Sequence, residues 1–490
     1  MKKKSVIIVG SGLGGLFSGA ILSENGFQVT IIENHYNVGG FASCFKRAKS
    51  RHEVGIHCLD GFVKDTVKFR EFEKLGIFEN VEFVRAPDFY KIKTSNGMIS
   101  IPDNIEETES TLCEHYPLEK ESIKKYCNIL NNIQSEIEKS SSFENDPYQA
   151  LKIPILTKYK NYSLGKYLEK NFQSNELKSI LMANICFYHD NPKELNFLIF
   201  MYGNSFYFKN GCYFIKGSSQ TLGDYLKSLI EKNNGKFLLG TRVVGLEYKE
   251  SEIQSIQIQK RTNTETSKLS ADCYIFNNSP YTVSDWIKNE SLLEIKNKQR
   301  QEPSISMSTI FLEFDQAPKT FGLSGYMSYF MLSEIESKIK DINAFCFIDY
   351  SEIDSGLTGD NKYIAAILFK DDYINWFHKS KEEYLRIKEH TIEFVINFLD
   401  KQFPGIKKSC TLAEMATPLT IERYTLNTHG AIYGFSFKNR MFSAENFLKN
   451  NISNMYFASA WSRGAGFSFA SLSGIETARE IIGEYENEFF

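Results

Sequence analysis

The chain lacks an excess of charge, a long apolar run and closely spaced cysteines. Its 490 residues carry a formal net charge of −3, so bulk electrostatics gives no reason to expect a nucleic-acid partner. No uninterrupted apolar stretch approaches the roughly 18 residues that a membrane-spanning helix needs. Three lysines follow Met1, but the apolar stretch after them is short and ends in glycines. We therefore expect a solvated lead-in to a strand rather than a secretion signal.

The nine cysteines include no Cys-x-x-Cys pair, and their number is odd. This pattern predicts reduced thiols in a cytoplasmic protein, without a disulfide framework or a metal site. The length predicts two or three domains. Aromatic residues reach 14% of the chain, an excess that suits a well-packed core and suits a large apolar cavity as well.

A glycine-rich motif follows the first apolar run. Ser5–Val9 is β-branched and apolar, which is typical of a buried parallel strand. Residues 10–15 match G-x-G-x-x-G, a helical stretch comes next, and a second strand ends on Glu33. In this order, the glycines allow a tight turn and a close approach of the backbone to a pyrophosphate, which meets the positive end of the helix. Glu33 suits the ribose hydroxyls and disfavours the extra phosphate of NADP.

A second glycine pair, Gly39 and Gly40, lies just after this acid. Adjacent glycines let the chain pass close to a bulky group, and we take them to favour FAD over NAD. An ordinary turn is the alternative interpretation.

Together these residues resemble the phytoene desaturase superfamily. The segment 52–57 (H-E-V-G-I-H) is similar to a "D-V-G-x-H" segment of its carotenoid isomerase and retinol saturase branch. Residues 417–425 resemble the "T-P-x-T-x-E-R-Y-T" segment of that branch, and 455–474 resemble the terminal flavin-binding motif. The terminal motif departs from the family at Ser459 and Phe469, where glycine is usual. Phe469 is expected to narrow or reshape the substrate end of the site.

The resemblance implies an α/β fold with a Rossmann-like FAD-binding domain, built from a parallel sheet, helices and a β-meander, and with an inserted α+β substrate domain. The FAD-binding domain is expected over 1–75, 206–290 and 435–490. The substrate domain and lid are expected over 76–205 and 291–434. The apolar run 196–202 is expected in the core, with a cavity wall or a membrane-dipping face as the alternative.

The predicted site has a cofactor part and a catalytic part. The predicted cofactor contacts are Gly10, Ser11, Gly12, Leu13, Gly14, Gly15, Glu33, Asn34, Gly39, Gly40, Phe41, Val243, Ser279, Ala460, Gly466 and Phe467. The candidate catalytic residues are His57, Glu53, Arg423 and Tyr424. His57 is either a proton donor and acceptor or a neutral histidine near the flavin. Glu422 and Arg423 form a structural ion pair or line the cavity.

These features predict an FAD-dependent oxidoreductase, desaturase-like or saturase-like, that forms or reduces a C=C bond in an apolar polyene or isoprenoid-like substrate. The alternatives are polyene isomerisation with reduced FAD, amine oxidation and flavin binding without catalysis. Amine oxidation is disfavoured because Phe41 stands where such enzymes usually have arginine. No second glycine-rich dinucleotide site is evident, so the electron donor or acceptor is expected to be external and is not identified. Peripheral contact with a membrane is left open.

Overall fold

The computed structural model describes residues 4–47, 49–64, 66–140, 152–287, 301–332, 342–357, 362–436, 444–462, 464 and 466–487. The helices are α1 Leu13–Glu24, α2 Val67–Lys74, α3 Ile77–Asn80, α4 Ile105–His115, α5 Lys120–Ser140, α6 Pro154–Tyr159, α7 Leu164–Asn171, α8 Asn175–Leu181, α9 Phe197–Asn210, α10 Ser219–Lys232, α11 Pro280–Trp286, α12 Lys381–Gln402, α13 Ile406–Ser409, α14 Pro418–Thr425, α15 Ala444–Asn451 and α16 Gly466–Asn487. The strands are β1 Ser5–Val9, β2 Gln28–Ile32, β3 Cys44–Arg47, β4 Ser50–Glu53, β5 Leu59–Asp60, β6 Phe83–Arg85, β7 Tyr90–Thr94, β8 Gly97–Ile101, β9 Cys212–Ile215, β10 Lys236–Leu238, β11 Thr241–Lys249, β12 Glu252–Lys260, β13 Thr266–Leu269, β14 Cys273–Phe276, β15 Met307–Phe314, β16 Met327–Met331, β17 Ala344–Asp349, β18 Tyr363–Lys370, β19 Cys410–Ala416 and β20 Met455–Phe457.

A parallel sheet forms around the first strand. Within the described residues its order is β10-β2-β1-β14-β20, and every neighbouring pair is parallel. The strands are short runs of β-branched and aromatic residues, and β14 is buried at each of its four positions. Such runs suit a sheet that is covered on both faces.

Both faces of this sheet are covered. Helix α1 packs between α10 and α16 on one face, where Leu16, Phe17 and Ile475 are fully buried. The β-meander of β11, β12 and β13 covers the other face together with α11 and α15. A Rossmann-like α/β domain with a β-meander is therefore confirmed.

A mixed sheet forms the centre of the second part of the molecule. Its order in the described residues is β19-β15-β18-β17-β16-β7-β8, with β7 and β16 as its parallel pair. One core lies between this sheet and the helices α4 to α9, and another lies between the sheet and α12. Its strands come from 76–205 and 291–434, whereas those of the parallel sheet come from 1–75, 206–290 and 435–490. The sequence assigned these segments to the substrate domain and the FAD-binding domain respectively.

One prediction about the cysteines is wrong. The structure joins Cys58 and Cys212 in a disulfide, with their Cα atoms 6.0 Å apart. The strands β5 and β9 pair in antiparallel register, with Asp60 opposite Cys212, and this places the two cysteines side by side. The pairing joins positions 154 residues apart, so no local spacing of cysteines signals it. In the part of the chain that the structure describes, no helix has both the length and the apolar character for a bilayer crossing.

Candidate active site

In the described part of the chain, a large cavity connects the parallel sheet to the mixed sheet. Its volume is about 1970 Å³, roughly twice the upper end of ordinary ligand pockets. The glycine-rich turn and Glu33 line one end, and side chains of α9, β16 and β18 line the other. This space is large enough for a dinucleotide and a second sizeable molecule.

The glycine-rich turn is shaped by contacts within the protein. A Cβ atom on Gly14 would lie 2.2 Å from the Ala458 carbonyl oxygen, and one on Gly12 would lie 2.5 Å from Asn277 Oδ1. A Cβ on Gly15 would lie 2.2 Å from the Gly10 carbonyl oxygen. These positions therefore exclude side chains, and the turn delivers the N-terminus of α1 to the cavity. That N-terminus has no side-chain cap, so its first N–H groups remain available to a phosphate.

Glu33 holds the turn in place from the end of β2. Its Oε2 accepts hydrogen bonds from Ser11 N at 2.8 Å and from Ser11 Oγ at 2.7 Å, and its Oε1 accepts from His35 N at 2.7 Å. Glu33 also lines the cavity. The same carboxylate thus orders the loop and faces the position predicted for a ribose.

The backbone at Gly39 and Gly40 crosses the glycine-rich turn of residues 10–15. Gly39 and Gly40 have φ values of 112° and 62°, which strongly favour glycine. Gly39 N donates to the Ser11 carbonyl at 2.8 Å, and a Cβ on Gly40 would lie 3.1 Å from Gly12 Cα. The two glycine segments therefore form one continuous backbone surface in the cavity wall.

Most predicted cofactor contacts lie together in the cavity wall. The cavity-lining members are Gly10, Gly12, Leu13, Gly14, Glu33, Asn34, Gly39, Gly40, Phe41, Val243, Ala460, Gly466 and Phe467. Ser11, Gly15 and Ser279 do not line it. Ser279 instead caps α11, accepting a hydrogen bond from Tyr281 N.

After β14, sequence reasoning named Ser279 and did not name Asn277 and Asn278, which both line the cavity. Asn277 N donates to the Val9 carbonyl at 2.8 Å, and its amide group donates to the Ala458 carbonyl. The Oδ1 atom of Asn278 is buried and has no hydrogen-bond partner among the described residues. Their position at the carboxyl end of a central parallel strand was the available signal.

His57 is the candidate catalytic residue that lines the cavity while buried. Its Nδ1 and the Tyr350 hydroxyl share a hydrogen bond of 2.6 Å, and its carbonyl oxygen accepts from the Tyr326 hydroxyl. Within the described residues its buried Nε2 has no partner. Burial lowers the pKa of His57 to about 3, so the imidazole is neutral at physiological pH.

Glu53 is fully buried and does not line the cavity. Its carboxylate accepts hydrogen bonds from Ser219 N and Ser219 Oγ, each at 2.7 Å, and from the N–H groups of Gly55 at 3.2 Å and Ile56 at 3.0 Å. Burial raises the pKa of Glu53 to about 7, although these donors favour the charged form. The residue fixes the loop that carries His57 to the N-terminus of α10.

Arg423 and Tyr424 lie at the Glu33 end of the cavity, where the Tyr424 ring contacts His35. Arg423 is exposed, does not line the cavity, and its guanidinium lies 5.6 Å from the centre of the Tyr424 ring. Tyr424 is 52% exposed, lines the cavity and makes an edge contact with the His35 ring. Glu422 lines the cavity beside them and accepts a hydrogen bond from His429 N at 2.9 Å.

The far end of the cavity is apolar. Helix α9 turns one face to the core, where Phe197, Phe200 and Met201 are fully buried, and it lines the cavity with Ile199 and Phe206 on another face. Both interpretations of the run 196–202 as core and as cavity wall thus hold for different faces of one helix. The strands β15 and β18 contribute Met307, Phe311 and Phe369 to the wall.

Two further features shape this wall. Phe469, at 43% exposure, lines the cavity and packs against Gly464, where a Cβ would lie 3.2 Å from the ring. A charged cluster that the sequence did not signal joins Lys68 Nζ to Asp60 Oδ2 at 3.1 Å and to Ser468 Oγ at 2.6 Å. All three cluster residues line the cavity, and the ammonium group lies 5.3 Å from the centre of the Phe62 ring.

Comparisons with known proteins agree with this geometry. A family model described as an NAD(P)-binding Rossmann-like domain matches residues 8–73. All-trans-retinol 13,14-reductase of Danio rerio is 21% identical over 490 residues, covering 90% of this chain and 79% of that protein. Prolycopene isomerase 1, chloroplastic, of an Oncidium hybrid cultivar is 23% identical over 465 residues, covering 87% and 74%. The solved structure of an oxidoreductase from Methanosarcina mazei shares the fold, with a TM-score of 0.64 and 16% identity over 98% of this chain and 100% of that one.

The resemblance to the phytoene desaturase, carotenoid isomerase and retinol saturase superfamily is therefore confirmed, and with it the oxidoreductase class. The family model also indicates a dinucleotide-binding domain at residues 8–73.

Proposed function

We propose that this chain, an oxidoreductase of the superfamily that includes phytoene desaturases, uses FAD to form or reduce a C=C bond in an apolar polyene or isoprenoid-like substrate. The observation that carries the proposal is the continuous cavity, which has a dinucleotide-like end and an apolar, aromatic end. Bound FAD would supply hydride transfer at its N5 atom, chemistry that needs little acid–base help from the protein.

The residues at the polar end fit a dinucleotide. The uncapped N-terminus of α1 provides N–H groups and a positive dipole end for a pyrophosphate. Glu33 presents a carboxylate, which suits ribose hydroxyls and repels the extra phosphate of NADP. Asn278 offers a buried amide oxygen without a partner among the described residues, a group whose burial is costly until it accepts a hydrogen bond.

The apolar end of the cavity would exclude water and orient the substrate through the shape of its walls. Ile199, Phe206 and Phe369 line it with apolar surface. Such walls bind a long hydrocarbon through removal of apolar area from water, worth about 25 cal/mol per Å². Relatives named for retinol and prolycopene support a polyene. Against amine oxidation, Phe41 follows the glycine pair, and it packs on Gly55, where a Cβ would lie 2.3 Å from the ring.

Polyene isomerisation with reduced FAD is the second candidate function. It is favoured by the relative named prolycopene isomerase, which matches the chain over a span similar to that of the retinol reductase. Both activities use the same apolar wall, so the products must distinguish them.

The first experiment is the absorption spectrum of the purified protein after incubation with FAD. A bound flavin band is expected, and Glu33→Ala should weaken FAD retention. A colourless protein, or full FAD occupancy in Glu33→Ala, would count against the cofactor site as proposed. A polyene alcohol and a poly-cis carotene are then added anaerobically.

Bleaching of the flavin by substrate indicates desaturation, and a gain of two hydrogens with prereduced flavin indicates saturation. A product of unchanged mass that appears with prereduced flavin indicates isomerisation. No change with either substrate class in flavin-loaded protein would overturn the proposed substrate.

A further inference from the structure

We propose that residues 420–427 form an adenosine clamp, in which Tyr424 and Leu426 close over the adenosine half of FAD and control how long the cofactor stays bound. This inference rests on the proposed function, since it needs FAD in the cavity. It assigns Tyr424 to cofactor retention rather than to catalysis.

The adenosine clamp reaches the cofactor end from the other domain. It follows β19, the edge strand of the mixed sheet, and begins in α14. Thr417 and Thr420 form a reciprocal capping box at the start of this helix, and the Tyr384 hydroxyl lies 3.1 Å from Thr417 Oγ1. Side chains of the substrate domain thus fix the direction in which the clamp leaves the sheet.

Tyr424 lies beside the groups predicted to hold adenosine. Its ring makes an edge contact with the His35 ring, with centres 5.7 Å apart. His35 N donates to Glu33 Oε1 at 2.7 Å, and the His35 carbonyl accepts from Gly240 N at 3.0 Å. Gly240 immediately precedes β11, which carries Val243. His35 therefore contacts Glu33, which is predicted to bind ribose, Gly240 at the start of the predicted adenine strand, and the Tyr424 ring.

The exposure of the clamp side chains suits a covering role. Tyr424 and Leu426 are about half exposed, at 52% and 50%, and both line the cavity. Most exposed apolar side chains lie singly on a surface, but these two stand in the wall of a binding cavity. An aromatic ring in this position can contact the face or edge of a planar base.

The turn that carries Leu426 is held in an unusual conformation. Leu426 and His429 have φ values of 58° and 57°, in the left-handed region that β-carbon-bearing residues rarely adopt. Three hydrogen bonds hold the turn: His429 N to Glu422 Oε1 at 2.9 Å, Asn427 Nδ2 to the Ala431 carbonyl at 2.9 Å, and Trp461 Nε1 to Asn427 Oδ1 at 3.2 Å. Backbone strain of this kind persists where surrounding contacts enforce it, often at ligand clamps.

The test measures FAD release from the full-length protein by the fluorescence of free flavin after dilution. Tyr424→Ala is expected to raise the dissociation rate about tenfold, the scale of one aromatic contact with a base. Leu426→Asn keeps a residue that tolerates the left-handed conformation while removing the apolar side chain, and it should also accelerate release. Tyr36→Ala is the matched control, because Tyr36 is exposed at the same end but does not line the cavity.

Binding of ADP and riboflavin to the apoprotein separates the two halves of the cofactor. The adenosine clamp predicts that Tyr424→Ala weakens ADP about tenfold and leaves riboflavin unchanged. Unchanged FAD release in Tyr424→Ala, or an equal loss of riboflavin binding, would overturn the clamp while leaving the proposed function intact. A wild-type protein that binds no FAD would refute the proposed function and the clamp with it.

Discussion

Replacing Glu53 by glutamine tests whether this residue positions the site or takes part in the chemistry. The carboxylate is fully buried and accepts four hydrogen bonds, two of them from Ser219 at the first turn of α10. A carboxylate can accept all four because both oxygens are acceptors, whereas glutamine has one acceptor oxygen and an NH₂ group. If the amide nitrogen takes the place of Oε2, it faces the N–H of Ser219.

The expected cost follows from the groups left without acceptors. Ser219 N and the new amide each lose a hydrogen bond inside the protein, at roughly 1–3 kcal/mol for each buried group. Glutamine also removes a negative charge from a helix N-terminus, but it avoids the cost of burying that charge. Because the avoided cost of charge burial offsets part of these losses, we expect the free energy of unfolding to fall by at most about 3 kcal/mol, out of the roughly 5–15 kcal/mol that stabilises most proteins.

The assay is urea unfolding at pH 8, above the pKa of about 7 to which burial raises the Glu53 carboxyl. Glu383→Gln is the control, because its ion pair with Lys379 is partly exposed and its loss should cost less than about 1 kcal/mol. A Glu53→Gln protein with the stability of the wild type and no turnover would refute the positioning role. Glu53 would then be assigned a role in the chemical step.

Two further predictions concern His57 and the glycine-rich turn. Burial lowers the pKa of His57 from 6.5 to about 3, so on acidification the unfolded chain takes up a proton that the folded protein does not. From this protonation alone, the free energy of unfolding should fall by about 2 kcal/mol between pH 7 and pH 5. Urea titrations of His57→Gln should lack that part of the pH dependence. Gly14→Ala places a Cβ 2.2 Å from the Ala458 carbonyl oxygen and should lower the thermal midpoint sharply and reduce FAD binding. Gly483→Ala, which meets nothing within 4 Å in helix α16, should leave both unchanged or raise the midpoint slightly; equal midpoints for the two variants would contradict the packing argument.

The features that sequence reasoning predicted are those with local signals. The strand, turn and helix from Ser5 to Glu24 are encoded by a β-branched run, by glycines and by an apolar helical segment that follow one another in the chain. The run 196–202 became a helix whose two faces serve the core and the cavity, because apolar residues three or four apart share a face. In each case neighbouring residues carry the whole signal.

The features that sequence reasoning did not reveal depend on distant segments. The disulfide joins Cys58 to Cys212 because β5 happens to pair with β9. Glu53 meets Ser219 across 166 positions, so its sequence neighbours do not reveal that four donors already occupy its carboxylate. Ser279 and Asn278 are adjacent in sequence, yet one caps a helix and the other faces the cavity.

These reassignments change what the protein is expected to contribute to the reaction. Tyr424 is exposed at the predicted adenosine end, and Glu53 is engaged by Ser219 N and does not line the cavity. His57 is then the candidate catalytic residue that is buried and also lines the cavity. Its imidazole is neutral and buried, so it can orient a group but is a poor source of a proton at physiological pH.

The ammonium of Lys68, held by Asp60 and Ser468, is a charged donor in the same cavity wall. Saturation of a C=C bond requires a proton as well as a hydride, whereas isomerisation has no net proton demand; Lys68→Met should therefore impair saturation and spare isomerisation. Equal loss of both activities would show that Lys68 maintains the shape of the wall instead.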